Sequence, residues 1–310
     1  MMKAPPDPNQ DEWSKWVLYD RYGGDPGYEA VVRRAVARFA DRVLDEAHLF
    51  SGMRLVDVGA GDGLLAFRAL ERLGTIQVVL TDISPPLLRH AKDTAARLNL
   101  KDQCTFLECT AEKLTDLADS TVDAIVTRAS IAYVSNKNAA FREFQRGLKP
   151  GGRISIAEPI MQDEAFAAQA LKARVDAQLG SSPDPFLKLL HRWKSAQFPD
   201  TAEGCAKHPL VNFSERDLID MARGAGFVDI HMQLHIDVAP SLVTSWEIFL
   251  ASSPHPWAPS LRSILEERFS SEERQLFEAL VKPTVESGKN LAIDRIAYLN
   301  AKKPTLHAIL

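Results

Sequence analysis

The chain has 310 residues, 45% of them apolar and 25% charged, with a formal net charge of −4. That length accommodates one large core with insertions, and the composition excludes a disordered, collagen-like or disulfide-stapled protein. Lys and Arg are scattered rather than massed, which argues against nucleic acid as a partner, and no apolar run approaches the roughly 20 residues that cross a bilayer, which argues against a membrane protein.

Three cysteines, Cys104, Cys109 and Cys205, have no metal-ligand spacing, and Met1 to Trp13 does not resemble a secretory leader. A cytoplasmic protein with reduced thiols and no bound metal is expected. Residues 1–50 hold a segment with two Trp and two Tyr between Trp13 and Gly24, which predicts a docked flap, followed by an amphipathic helix over Tyr28 to Leu49. From 51 to 159, short apolar runs alternate with helical patterns. The strands fall at Arg54 to Val58, Gln77 to Thr81, Cys104 to Glu108, Ala124 to Thr127 and Arg153 to Ala157. Ser84 and Pro85 open the helix after the second strand, and a helix over Asn138 to Gly147 ends at Lys149-Pro150-Gly151-Gly152.

Residues 160–212 break the alternation with two helices, Asp163 to Leu179 and Asp184 to Ser195, read as a helical lid insertion. Residues 213–310 return to the sheet through a helix over Ser214 to Ala225 and a sixth strand over Phe227 to Val238. A second insertion, Pro254 to Val281, carries a helix opened by Ser270 with Glu273 in capping-box spacing, and Leu291 to Ala301 is the last strand. The expected fold is α/β: a doubly wound, mostly parallel seven-stranded sheet with helices on both faces, helical lid insertions and an N-terminal helical flap.

The chemistry concentrates in Leu55-Val56-Asp57-Val58-Gly59-Ala60-Gly61-Asp62-Gly63-Leu64-Leu65, a strand that passes through a glycine turn into a helix. Such a turn lets backbone approach a small ligand, although glycine turns also serve packing alone. Asp82 ends the next strand, where a carboxylate can accept from both hydroxyls of a ribose, and Ile83 offers an apolar face to a purine. A dinucleotide turn has the spacing Gly-x-Gly-x-x-Gly; here it is Gly59-x-Gly61-x-Gly63. Asp57 and Asp62 would repel a pyrophosphate but suit an ammonium and a sulfonium, the two cations of S-adenosylmethionine (SAM). Asp57 serves either the ligand or the bracing of the loop.

In order along 53–159, several further segments agree with one family. Val56-Asp57-Val58-Gly59-Ala60-Gly61-Asp62-Gly63, Thr81-Asp82-Ile83-Ser84, Cys109-Thr110-Ala111-Glu112-Lys113-Leu114, Asp123-Ala124-Ile125-Val126-Thr127-Arg128 and Leu148-Lys149-Pro150-Gly151-Gly152-Arg153 resemble the successive motifs of class I SAM-dependent methyltransferases of the small-molecule type. The resemblance implies SAM as cofactor, with Gly59 and Gly61 near its methionyl part, Asp82 on the ribose and Ile83 on the adenine. It also implies that the Ala111 amide and Glu112 read the base edge and that Arg128 lines the methionyl end. Thr110 departs from the Asp of many members, so Glu112 is expected to supply that contact.

The acceptor should lie beyond the carboxyl ends of the fourth and fifth strands. Tyr133 and Glu158 are the nearest candidates for a base, and the lid adds His191 and His208; Phe186, Trp193 and Phe198 read mainly as lid packing. His231 and His235 read as structural. Arg21 on the flap is a candidate partner for a carboxylate of SAM or substrate, and Glu286 reads as a turn residue before the last strand.

The expected reaction is in-line methyl transfer to a small-molecule metabolite, with sulfur, oxygen, nitrogen and carbon all open as the acceptor. The cysteine pattern does not suit arsenite methylation. Thr127-Arg128-Ala129-Ser130 lacks the Asn/Asp-Pro-Pro-Tyr pattern of enzymes that methylate base amines. An NAD-dependent dehydrogenase and a SAM-binding sensor without transfer are the alternatives; the sequence does not address oligomeric state.

Overall fold

The computed structural model describes residues 10–178 and 184–305. The start of the chain, on which the reading of a leader rests, and Leu179, the expected end of one lid helix, lie outside them. The strands are β1 (Arg54–Val58), β2 (Gln77–Asp82), β3 (Cys104–Glu108), β4 (Val122–Arg128), β5 (Leu148–Pro159), β6 (Val228–Pro240) and β7 (Leu291–Lys302). They form one sheet in the order β3-β2-β1-β4-β5-β7-β6. β1 to β5 pair in parallel, and β7 runs antiparallel to β5 from Arg153↔Lys302 to Pro159↔Ile296.

Parallel strands are covered on both faces, which is why β1, β2 and β4 are near-continuous apolar runs. Leu55, Val78, Leu80, Ala124 and Val126 pack in one cluster with Ala40, Val43 and Leu44 of the helix Pro26–Glu46 and with Leu65, Ala66, Ala69 and Leu70 of the helix Leu64–Leu73. Their strand neighbours Val56, Val79 and Ile125 are equally buried and point to the opposite face. On the helices Lys137–Gly147 and Glu215–Gly224, Phe141, Phe144, Leu218 and Ala222 are buried. The order of strands reverses between β1 and β4, and at such a reversal a crevice opens beyond the carboxyl ends.

The chain divides into two compact units. The sheet unit comprises Arg34–Ile160, Phe213–Ile236 and the chain from Arg295. The helical unit draws on three separate stretches: the described residues up to Arg33, Met161–Asn212 and Asp237–Asp294. Within it, Leu189 and Trp193 of the helix Pro185–Gln197 join an apolar cluster with Trp246, Leu250, Ile264 and Phe277. Trp16 Nε1 donates to the Ser253 carbonyl (3.0 Å), and Trp13 meets Trp257 edge to face at 5.5 Å. These contacts fasten the N-terminal helix Glu12–Leu18 to the second insertion.

Three differences from the sequence reading have local causes. The second insertion carries two helices, Leu261–Arg268 and Ser271–Glu286, where one was expected; a further helix, Trp246–Ala251, precedes it, and the lid gains a short helix, Ala202–Lys207. Helices of six to eight residues present too few turns for a periodic signal. The helix from Ser271 also continues through Pro283 and makes Glu286 its last residue rather than part of a turn. Buried Val285 accounts for the continuation, because burying its side chain offsets the backbone bond that Pro283 cannot make.

Candidate functional site

At the carboxyl end of β1 the backbone enters the left-handed region at Gly59 (φ 64°), Gly61 (φ 57°) and Gly63 (φ 86°) before the helix Leu64–Leu73 begins. The three glycines do different work. A β-carbon on Gly59 would fall 2.0 Å from Ser130 Oγ, so the segment after β4 lies directly on the turn, and one on Gly63 would meet the Phe67 ring at 2.2 Å. A β-carbon on Gly61 would meet nothing within 4 Å. That open position is where a ligand can approach the backbone.

Asp82 ends β2 and is 7% exposed. Its Oδ2 accepts the Gly61 N–H (2.8 Å) and its Oδ1 accepts the Ser84 N–H (2.9 Å). An ionised carboxylate can accept several hydrogen bonds at once, the property that a ribose diol asks of its partner. Ile83, beside it, is 45% exposed, an unusual degree for isoleucine and a ready apolar platform for a base. Asp57 is buried on β1, where its Oδ2 accepts the Ala66 N–H (3.1 Å) and braces the start of the following helix. Burial, reinforced by the charges of Asp82 and Asp62, pushes its carboxyl up to about 7. The acidic residues around the glycine turn leave it negative even with Asp57 about half protonated near pH 7, which suits a cationic ligand end and opposes a pyrophosphate.

The crevice's other wall follows β4. Ala129 takes a left-handed conformation (φ 51°), uncommon for a residue with a β-carbon, and its N–H donates to the Ala157 carbonyl (2.9 Å). Glu158, fully buried on β5, accepts N–H bonds from Ser130 (3.1 Å), Ile131 (3.1 Å) and Ala132 (3.0 Å). As a base it would first have to release these amides; its position suits bracing. Tyr133, the last residue of the 3₁₀ turn Ile131–Tyr133, is half-buried, as is Arg128, whose guanidinium stands 6.0 Å from the centre of the Phe39 ring.

Ala111 is buried. Glu112 Oε1 accepts the Asn136 N–H (3.0 Å), and the Thr110 carbonyl accepts the Lys113 N–H (3.1 Å). The remaining candidates belong to the helical unit. Arg21 lies over the rings of Trp16 (5.3 Å) and Tyr22 (5.6 Å). His191 Nε2 is 2.8 Å from Asp200 Oδ2, and the His208 ring contacts Trp257 (5.5 Å) and His255 (6.3 Å). Phe186 and Trp193 both pack on Phe277. In the sheet unit, His235 lies against Tyr298 (5.2 Å). Burial pushes the Cys104 and Cys109 thiols up to about 11, and no group of three metal-binding side chains occurs among the described residues. No helix among the described residues is long and apolar enough to cross a membrane.

The site thus has two walls: a glycine turn clamped to an acidic residue, and a segment held by a buried glutamate. The first was legible in the sequence. The second was not, because Ser130 carries no motif and Glu158 reaches its partners from almost thirty residues away.

A family model described as a methyltransferase domain matches residues 49–191. The ubiquinone/menaquinone biosynthesis C-methyltransferase UbiE of Pseudomonas putida (strain F1) is 36% identical over 109 residues, 35% of this chain and 42% of that protein. The tRNA 5-carboxymethoxyuridine methyltransferase of Escherichia coli K12 is 28% identical over 151 residues, 48% of this chain and 56% of that protein. The chain therefore spans about half the length of these curated relatives. Among solved structures, the YcgJ protein of Bacillus subtilis superposes with a TM-score of 0.54 at 17% identity, covering 86% of this chain and 98% of that one, a likeness of fold. With the motifs, the strand order and the turn's geometry in agreement, residues 49–191 are similar to the domain of class I methyltransferases, whose cofactor is S-adenosylmethionine.

Proposed function

We propose that the protein transfers a methyl group from SAM to a small-molecule metabolite in the cytoplasm. SAM, when bound, supplies a methyl group made electrophilic by its sulfonium. The observation that carries the reading is the open backbone at Gly61 tied to Asp82, with the acidic residues Asp57 and Asp62 beside it. In this reading Asp82 accepts from the ribose hydroxyls, Ile83 packs on the adenine, and Ala111 and Glu112 border the base. The carboxylates favour the ammonium and sulfonium of the methionyl end, and Arg128 balances its carboxylate.

Transfer demands a nucleophile in line with the methyl group and exclusion of water, so rigid walls contribute most of the rate. Glu158 contributes by immobilising the wall. Tyr133 is the residue of the sheet unit best suited to take a proton where the acceptor is a hydroxyl or an ammonium; His191 and His208 are second candidates. A carbon acceptor, as the name of the UbiE relative describes, asks for less base strength.

The tRNA enzyme among the relatives supplies a rival substrate class. The net charge of −4 favours the metabolite over RNA. Incubation with labelled SAM and an extract of the host, followed by mass spectrometry, tests the proposal: label in a metabolite supports it, and label only in RNA or protein overturns the substrate class. Calorimetry with SAM against NAD distinguishes the dehydrogenase alternative, and failure to form S-adenosylhomocysteine with any metabolite pool favours a sensor.

A further inference from the structure

Lys137 opens the helix Lys137–Gly147 and is only 4% exposed. Two preferences oppose that placement: lysine is among the residues least often buried, and the N-terminus of a helix disfavours positive charge. Its contacts supply a reason. Nζ donates to the Val134 carbonyl (2.9 Å) and lies 4.7 Å from the centre of the Phe213 ring. Glu158 and Glu112 are the acidic groups that act on it, and Lys137 is the cation that acts on Glu158.

Between β4 and this helix, therefore, little of the backbone is left to itself. Glu158 takes the amides of residues 130, 131 and 132, Lys137 takes the carbonyl of 134, and Glu112 takes the amide of 136. This is the segment whose Ser130 packs on Gly59.

Holding three amides asks for an ionised carboxylate, because a protonated carboxyl group turns one of its two oxygens into a donor. We propose that Lys137 is a positioning residue for the cofactor site: its buried ammonium, on the Val134 carbonyl, and the Glu158 carboxylate, on the amides of residues 130–132, together hold the post-β4 segment against the glycine turn. The charge balance agrees. Burial drives the Glu158 carboxyl up from its ordinary value, and the three amides and Lys137 draw it back; burial likewise lowers the Lys137 ammonium to about 8, against the pull of Glu158 and Glu112. The inference rests on the cofactor reading above and deepens it, because SAM affinity becomes dependent on a lysine that need not touch SAM.

The test compares wild type, Lys137→Met and Lys137→Arg by hydrogen exchange of the amides of residues 130–132 and by calorimetry with S-adenosylhomocysteine from pH 6.5 to 9. With methionine, the Glu158 carboxyl loses a cation that draws its pKa down and rises further. Those amides then exchange at least roughly tenfold faster than in wild type, and affinity is roughly tenfold weaker at pH 6.5, with the deficit shrinking as pH rises. With arginine, which keeps the charge, exchange and affinity at pH 6.5 stay as in wild type. A methionine variant that matches wild type in both readouts, or an arginine variant as impaired as methionine, overturns the proposal.

Should Lys137→Met fail to fold, Glu158→Gln carries the test. It presents one acceptor oxygen at every pH, so weakened binding independent of pH with fast exchange is expected, and wild-type protection overturns the idea. If wild type does not bind S-adenosylhomocysteine at all, the cofactor reading falls, while the exchange rates still decide whether Lys137 sustains the clasp.

Discussion

The Gly61 amide donates to Asp82 Oδ2 at 2.8 Å, so the turn and the acidic residue one strand away hold each other. Asp82 thus shapes the site besides offering it an acceptor. Asp82→Ala removes two backbone bonds to a charged group, each worth roughly 1.5–3 kcal/mol. SAM affinity is expected to fall at least roughly 100-fold by calorimetry, with the fold retained by circular dichroism; unchanged affinity would take Asp82 out of the site.

The glycines of the turn separate stability from binding. Gly59→Ala combines a left-handed backbone with a β-carbon 2.0 Å from Ser130 Oγ, and about 3 kcal/mol of lost stability is expected in denaturant melts. Gly61→Ala meets no neighbour and costs about 1 kcal/mol, yet it fills the space offered to the cofactor. Its signature is a near-native melt with SAM binding largely lost. Equal effects of the two changes on stability would contradict this division.

Asp57 gives a pH dependence of defined sign. Its carboxyl, ordinarily near 3.8, lies at about 7 in the folded chain, chiefly through burial. Between these values the folded state holds a proton that the unfolded state has released, so stability falls as pH rises and the full penalty, roughly 4 kcal/mol, applies above 7. Asp57→Asn keeps an acceptor for the Ala66 amide and removes the titration. Its melting temperature relative to wild type should climb from pH 4 to pH 7 and then level; parallel curves would exclude the assignment.

In the helical unit His255 titrates in the opposite sense. It is 1% exposed, its Nε2 lies 2.8 Å from the Gln197 carbonyl, and burial lowers its pKa from 6.5 to about 4. The unfolded state therefore takes up the proton first, and stability is lost as pH falls from 6.5 towards 4, by about 3 kcal/mol. His255→Gln retains a donor for that carbonyl without a titrating ring. Acid melts should lose their slope in this window, and an undiminished slope would assign the acid sensitivity elsewhere.

The features legible in the sequence were those written in consecutive residues. Gly59, Gly61 and Gly63 stand within one strand-turn-helix, and Ser84-Pro85 announces a helix start that the structure reproduces, with the Ser84 hydroxyl accepting the Leu87 N–H. The five parallel strands followed from short apolar runs, although β5 begins five residues earlier than expected, since Leu148 pairs with Val122 across an irregularity in register. Illegible were relations set by the fold alone. Nothing near Lys137 in sequence signals burial, and a left-handed alanine at position 129 has no compositional mark. Glu158 attracted notice as an acid at a strand end, but the three amides it serves are visible only when β4 and β5 lie side by side.

β7 lies between β5 and β6 yet is the last of the seven strands to leave the ribosome. Until then β5 has an open edge and β6 has no neighbour, a state prone to intermolecular pairing. A nonsense codon shortly before Leu291 would spare every residue proposed above for the cofactor site and still yield aggregate. Genetic lesions there would register as missing protein rather than as faulty chemistry.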